Sequence, residues 1–351
     1  MRVAIASEGY PPYPIDTSMY THTRDALDAV RRAGVDAFVL ALPSNRGARI
    51  GGLVRPYLRR KLAGYAGRDG AEVVHHISQD VRRGADVATV HDLYPFYDVD
   101  GRTSDAFFRE AIRTALKRPA RVVVTTEHTR REVAARFPEH AEKLRVVPVP
   151  HRTPPPGLAD PVRYDALWVG RNAPNKNLPL YLALAVRYPA LRFALRSSRS
   201  PDREALDREV AWKLAAARNV AVLPRQSEEG LDALYRSARV LVVTSNYEGF
   251  HVPAMEAYVR GARVVLPRIE PYLELYGGEG TVNTYWYDPA WIERPFAWDF
   301  SRSLANLAAA FEEACANPTA TRAPDARVVA RVSLESVGWG LKAVYEEVAR
   351  R

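Results

Sequence analysis

The chain has 351 residues, 47% hydrophobic and 26% charged, which excludes a disordered polymer and makes two domains more natural than one core. A formal charge of +9 admits anionic partners, but only six of the 50 basic residues are lysine, as a GC-rich coding bias would also write them, so no nucleic-acid partner is expected. The single cysteine, Cys315, excludes an intramolecular disulfide and a cysteine-based zinc site, and no window approaches the roughly 18 apolar residues needed to span a bilayer.

Val3–Ala6 reads as a first strand, and polar Ser7 and Glu8 follow too soon for a signal peptide, so a cytoplasmic location is expected. A loop rich in proline, Tyr10–Ser18, leads to a helix from about Tyr20 to Arg32 that closes at Gly34. Leu53–Tyr65 mixes Arg55, Arg59, Arg60 and Lys61 with Val54, Tyr57, Leu58 and Leu62. Such a basic amphipathic segment either packs on its own domain or makes a peripheral contact with an anionic membrane, here the inner membrane face. Short apolar runs at Ala37–Leu42, Val73–Ile77, Val87–Val90 and Val122–Thr125 predict further strands.

The clearest seam is His151–Pro161, with four prolines and a glycine in eleven residues, which can continue neither a helix nor a central strand. Beyond it Ala166–Val169, Arg192–Leu195, Val220–Leu223, Val240–Val243 and Arg263–Leu266 read as strands, with a helix over about Leu178–Tyr188. Trp339, Leu341, Val344, Tyr345 and Val348 predict an amphipathic terminal helix. Alternating strand and helix signals mark a parallel α/β architecture. The expected organisation is an N-terminal Rossmann-like domain over residues 1–150 and a linker over 151–164. A second Rossmann-like domain over 165–330 and a terminal segment over 331–351, returning to the first domain, complete it.

Two segments carry chemistry. Thr244-Ser245-Asn246-Tyr247-Glu248-Gly249-Phe250-His251 follows a buried strand and opens a helix containing Glu256. The amides of Gly249, Phe250 and His251 fall where a helix start could face an anion. Two carboxylates eight positions apart suit a sugar or ribose diol, although a capping acid accounts for an isolated pair equally well. Upstream, Val169-Gly170-Arg171-Asn172-Ala173-Pro174-Asn175-Lys176 ends a strand and places an arginine fork and a lysine point charge around one turn, a pairing suited to a diphosphate or simply a solvated loop.

Read together, the two segments resemble the donor-binding domain of retaining glycosyltransferases of family 4 (glycosyl transferases group 1). The match runs over Leu167–Asn177 and Leu231–Leu266, with Tyr287-Asp288-Pro289 downstream and Ala88-Thr89-Val90-His91-Asp92-Leu93 in the first domain. The resemblance implies a GT-B fold, two Rossmann-like domains facing across a cleft, with a nucleotide-sugar (NDP-sugar) donor, an unidentified acceptor, no metal and no cofactor. It implies that Arg171 and Lys176 hold the diphosphate after Gly170, and that Glu248 with Gly249 and Phe250 contacts the transferred sugar and phosphate. Glu256 would hold the ribose, and His91 would face the reacting sugar. His91 also reads as a strand-end histidine bonded to backbone.

Three positions depart from the family pattern. The loop Tyr10–Ser18 lacks the usual paired glycines, His251 replaces the glycine after Phe250 and would crowd or newly contact the sugar, and Leu195-Arg196-Ser197-Ser198 lacks a glycine. His22, His75, His76, His128 and His251 read as structural or solvent-facing unless the fold places one of them in the cleft. Tyr285-Trp286-Tyr287 and Trp291 read as core rather than as a sugar-stacking surface. Phosphorylase, epimerase and non-catalytic nucleotide- or sugar-binding relatives of a glycan-assembly complex stay open on these residues.

Overall fold

The computed structural model of the chain describes residues 1–8, 17–42, 69–79, 84–97, 103–153, 161–198, 204–224, 226–277, 281–294, 297–317 and 323–350. The basic segment Leu53–Tyr65 and residues 10–16 of the first loop lie outside the described residues. Backbone contacts divide the chain into one unit of Met1–Arg152 with Ala330–Arg351 and a second of Thr153–Val329.

In the first unit β1 (Arg2–Glu8), α1 (Thr17–Arg32), β2 (Asp36–Leu42), β3 (Val73–His76), β4 (Val87–Val90), α2 (Thr103–Lys117), β5 (Arg121–Val124), α3 (Glu127–Arg136) and β6 (Leu144–Val146) follow in order. The six strands form one parallel sheet, β2-β1-β3-β4-β5-β6. Val73, Val74, Val87 and Val90 are fully buried, which is why these strands read as continuous apolar runs rather than as alternations. Helix α1 begins a turn earlier than its apolar periodicity predicts.

The second unit holds β7 (Tyr164–Arg171), α4 (Leu178–Arg187), β8 (Phe193–Ser198), α5 (Glu204–Ala216), β9 (Val220–Val222), α6 (Glu228–Ser237), β10 (Ala238–Val242), α7 (Val252–Val259), β11 (Arg263–Pro267), α8 (Tyr272–Tyr276) and β12 (Thr284–Tyr287). A short ribbon, β13 (Trp291–Arg294) with β14 (Ala297–Trp298), precedes α9 (Phe300–Ala316). Its parallel sheet is ordered β12-β11-β10-β7-β8-β9. Counted from β7, that is the 3-2-1-4-5-6 order of a dinucleotide-binding sheet, with its reversal between β7 and β10. Tyr285 and Tyr287 are buried in the core with Phe193, Trp168 and Phe311, so this pair is packing, as read from the sequence.

After α10 (Ala326–Val332), the last helix, α11 (Leu334–Ala349), lies in the first unit, where Val337, Leu341, Val344 and Tyr345 join the cluster of Val3, Ala26 and Val30. Gly338 permits this: a β-carbon there would stand 2.1 Å from the Ala29 carbonyl oxygen of α1. Trp339 departs from the expected apolar stripe and is exposed, with the Lys342 ammonium 4.6 Å from its ring centroid. Residues two positions apart on a helix differ by about 200°, which sets Trp339 opposite Leu341.

Candidate functional site

In open α/β sheets a crevice forms beyond the carboxyl ends of the strands where strand order reverses. Here the flanking strands are β7 and β10, so the loops after them meet although they are far apart in sequence. The Asn246 amide donates to the Asn175 carbonyl at 2.7 Å, and Asn175 Nδ2 donates to the Tyr247 carbonyl at 3.1 Å. Thr244 Oγ1 donates to the Lys176 carbonyl at 2.8 Å and accepts from Trp168 Nε1 at 3.1 Å. Gly170 lets the strand end pass that indole, since a β-carbon would meet Trp168 at 3.0 Å.

These bonds bring Lys176 onto Glu248, and their side chains form an ion pair only 13% and 7% exposed. Burial by itself would raise the Glu248 carboxyl, but Lys176, His251 and a hydrogen bond from Ser245 outweigh it and hold the group below the usual carboxylate range. The Tyr272 hydroxyl lies 3.1 Å from His251 Nδ1. Burial depresses His251 to about 3, against the opposing pull of Glu248, so the ring is neutral. Two buried polar pairs, Lys176–Glu248 and Tyr272–His251, thus involve residues of this loop.

Helix α7 starts immediately after it. His251 takes the N-cap position with φ +63°, in the left-handed region that favours glycine, which is the residue expected there from the resemblance. Gly249 and Phe250 are buried beside it. One turn on, Glu256 Oε2 accepts a hydrogen bond from the Tyr235 hydroxyl of α6 at 2.9 Å, which fixes the carboxylate. On the far side of the reversal Arg171 ends β7 exposed to solvent. Arg196, paired in register with Val169, lies close enough to Tyr235 to act on it electrostatically.

The arrangement therefore gathers Gly170, Arg171, Lys176, Glu248, Gly249, Phe250, His251 and Glu256 along the carboxyl edge of one sheet, with cations at one end and a fixed carboxylate at the other. Such an edge can hold an anion and a diol together. Ser245, Tyr272, Asn175 and Arg196 were not singled out from sequence. Ser245 and Asn175 sit inside the two motifs, whereas Tyr272 carries no local signal at all.

His91 lies in the other unit, at the carboxyl end of β4, half-buried. Its Nε2 donates to the Ile77 carbonyl at 3.0 Å, and its ring meets His22 edge-on at 5.2 Å between centroids. With that proton placed, Nδ1 of the neutral ring is an acceptor. His22, His75 and His76 are buried, with His75 spanning the Tyr345 hydroxyl at 2.8 Å and Thr89 Oγ1 at 2.9 Å, so the structural reading of these three stands. Among the described residues no group of three His, Cys, Asp or Glu side chains is placed to hold a metal ion, and no helix is long and apolar enough to cross a membrane.

Residues 158–293, which include this edge, match the model of the family Glycosyl transferases group 1. The chain is 23% identical over 222 residues to the O-antigen chain mannosyltransferase B of Escherichia coli, a match that covers 56% of each protein, so it spans about half the length of that relative. Among solved structures it resembles sucrose-phosphate synthase of Thermosynechococcus elongatus, with TM-score 0.71, 17% identity, and coverage of 99% of this chain and 98% of that one. It likewise resembles Anabaena HepE, solved in complex with UDP and glucose, with TM-score 0.69, 14% identity, and coverage of 99% and 100%. The fold is thus that of the GT-B glycosyltransferases, and the second unit carries the segment that the family model describes.

Proposed function

We propose that the chain is a metal-independent, retaining glycosyltransferase that moves a sugar from a nucleoside diphosphate donor to an acceptor hydroxyl. The observation that carries this reading is the buried Lys176–Glu248 pair at the strand-order reversal, beside exposed Arg171 and inside the matched family segment. The neighbours crystallised with UDP and sugar support a donor of that class.

Arg171 and Lys176 take the diphosphate oxygens, and the charge that grows there as the glycosidic bond breaks is what they stabilise. Glu256, held by Tyr235, accepts from the ribose hydroxyls. Glu248 orients Lys176 and faces the transferred sugar. The C1–O bond to the diphosphate breaks and the C1–O bond to the acceptor forms on the same face. The acceptor proton passes to the departing phosphate oxygen, so no dedicated protein base is required. His91 Nδ1, as an acceptor, serves a hydroxyl of the reacting sugar.

The test is calorimetric binding of UDP, GDP and ADP, without metal, to the wild type and to Lys176→Ala. Saturable binding of one nucleotide that the variant loses is the expected outcome. Binding of none would discard the donor site, and binding without turnover over a broad acceptor panel would favour a non-catalytic relative.

A further inference from the structure

Lys176 is held at the tip of its side chain by Glu248, and a second set of contacts holds it at the root. The residue closes a short turn, Pro174–Lys176, and its carbonyl precedes Asn177, the N-cap of α4, so it lies outside the ladder of that helix. Thr244 Oγ1 donates to this carbonyl at 2.8 Å, and Trp168 Nε1 stands 3.1 Å from the same hydroxyl oxygen. The protons of this relay have one arrangement. An indole N–H can only donate and a carbonyl oxygen can only accept, so the hydroxyl accepts from Trp168 and gives its one proton to Lys176. Thr244 is fully buried and Trp168 nearly so, which shields both bonds from solvent. The indole is itself seated in the core with Tyr181 and Phe193, beside the strand end that Gly170 keeps open.

We infer that Thr244 is a positioning residue for the donor diphosphate. It fixes the backbone from which Lys176 reaches the phosphates, and Trp168 in turn fixes the Thr244 hydroxyl; neither side chain touches the ligand. This role rests on the donor-site reading above. A lysine carries its charge on a flexible four-carbon stem, so the place of its ammonium depends on the root as well as on the tip. Glu248 draws the ammonium toward itself, whereas an anchored root keeps it at the sheet edge, where Arg171 ends β7. Without the hydroxyl, the Lys176 carbonyl and the Trp168 indole are both left buried and unpaired, and the turn shifts to satisfy them. Displacements of about 1 Å, begun away from the ligand, are enough to lower the effect of a positioned group.

The experiment compares calorimetric affinities for UDP, GDP and ADP, and for their 2′-deoxy forms, in the wild type and in Thr244→Val, Thr244→Ser and Thr244→Ala. Threonine with valine, and serine with alanine, are pairs of similar shape that differ in the hydroxyl. The second pair makes the same comparison should Thr244→Val not fold. Each variant without the hydroxyl should bind the recognised diphosphate roughly 3- to 10-fold more weakly than its hydroxyl-bearing counterpart, the span of one neutral hydrogen bond. Thr244→Ser should stay within about 2-fold of the wild type. The ratio of ribo to 2′-deoxy affinity should hold in all three variants, because Glu256 keeps its tie to Tyr235. A merely structural threonine would lower the urea midpoint of Thr244→Val and leave its affinity where it was, which would overturn the inference alone. So would a serine variant as weak as the alanine one, or a ratio that falls along with the affinity. A wild type that binds none of the three diphosphates would overturn the donor reading and this inference with it.

Discussion

Lys176 and Glu248, separated by 72 positions, form a buried ion pair where the strand order of the second sheet reverses. Neither charge is isolated, because Ser245 and His251 also face the carboxylate. Removing one partner leaves the other in a low-dielectric setting, and that loss outweighs the modest net worth of the pair.

Lys176→Ala should therefore destabilise the second unit by about 3 kcal/mol. Urea unfolding measures this directly. A change below about 1 kcal/mol would mean that water already reaches Glu248 and that the pair behaves as a surface bridge.

Acid should weaken both units through their buried histidines. Burial lowers His75 in the first unit and His251 in the second, each to about 3, while the unfolded chain has histidines near about 6.5. Below that unfolded value the unfolded state binds more protons than the native one. The stabilisation is complete above about pH 6.5 and declines toward pH 3, by about 1.4 kcal/mol per pH unit for each histidine. His22, also depressed chiefly by burial, adds in the same direction. Unfolding midpoints that stay flat between pH 7 and pH 5 would contradict this.

Gly338 and Gly340 offer a paired comparison on α11. An alanine at 338 drives its β-carbon to 2.1 Å from the backbone oxygen of Ala29, which cannot move aside without shifting α1. At 340 the nearest atom is Val147 Cγ1 at 3.3 Å, a side chain that can yield. Gly338→Ala should cost about 1–3 kcal/mol, whereas Gly340→Ala should be near neutral because better helix propensity offsets the contact. Equal melting temperatures for the two variants would show that the α1–α11 approach is looser than drawn.

Glu256 makes a prediction that separates folding from binding. Glu256→Gln keeps an oxygen for the buried Tyr235 hydroxyl and should unfold like the wild type. Glu256→Ala leaves that hydroxyl without its acceptor, at about 1–3 kcal/mol, but should retain its circular dichroism spectrum. Both should weaken nucleotide binding, and the alanine variant should no longer distinguish a ribonucleotide from its 2′-deoxy form. Retained discrimination would remove Glu256 from the ribose role.

Much of this molecule was legible in its residues. The apolar runs from Val3 to Arg263 located most strands, because a strand buried on both faces must be continuously apolar. The two units divide between Arg152 and Thr153, next in sequence to Pro154, Pro155 and Pro156. Both motifs were complete as text, and so was the replacement of the usual glycine by His251, although its left-handed backbone appears only in the fold.

Partnership was decided elsewhere. That Lys176 meets Glu248 follows from β10 pairing with β7, a choice among strand orders that local periodicity does not encode. His91 keeps Nε2 on the Ile77 carbonyl because β3 lies beside β4, and Tyr272 reaches His251 because α8 follows a strand two places away from β7 in the sheet. Composition and periodicity report what each residue prefers of its own backbone and solvent exposure. A hydrogen bond also needs a particular atom of a distant residue within about 3 Å, and only the packed chain supplies that distance.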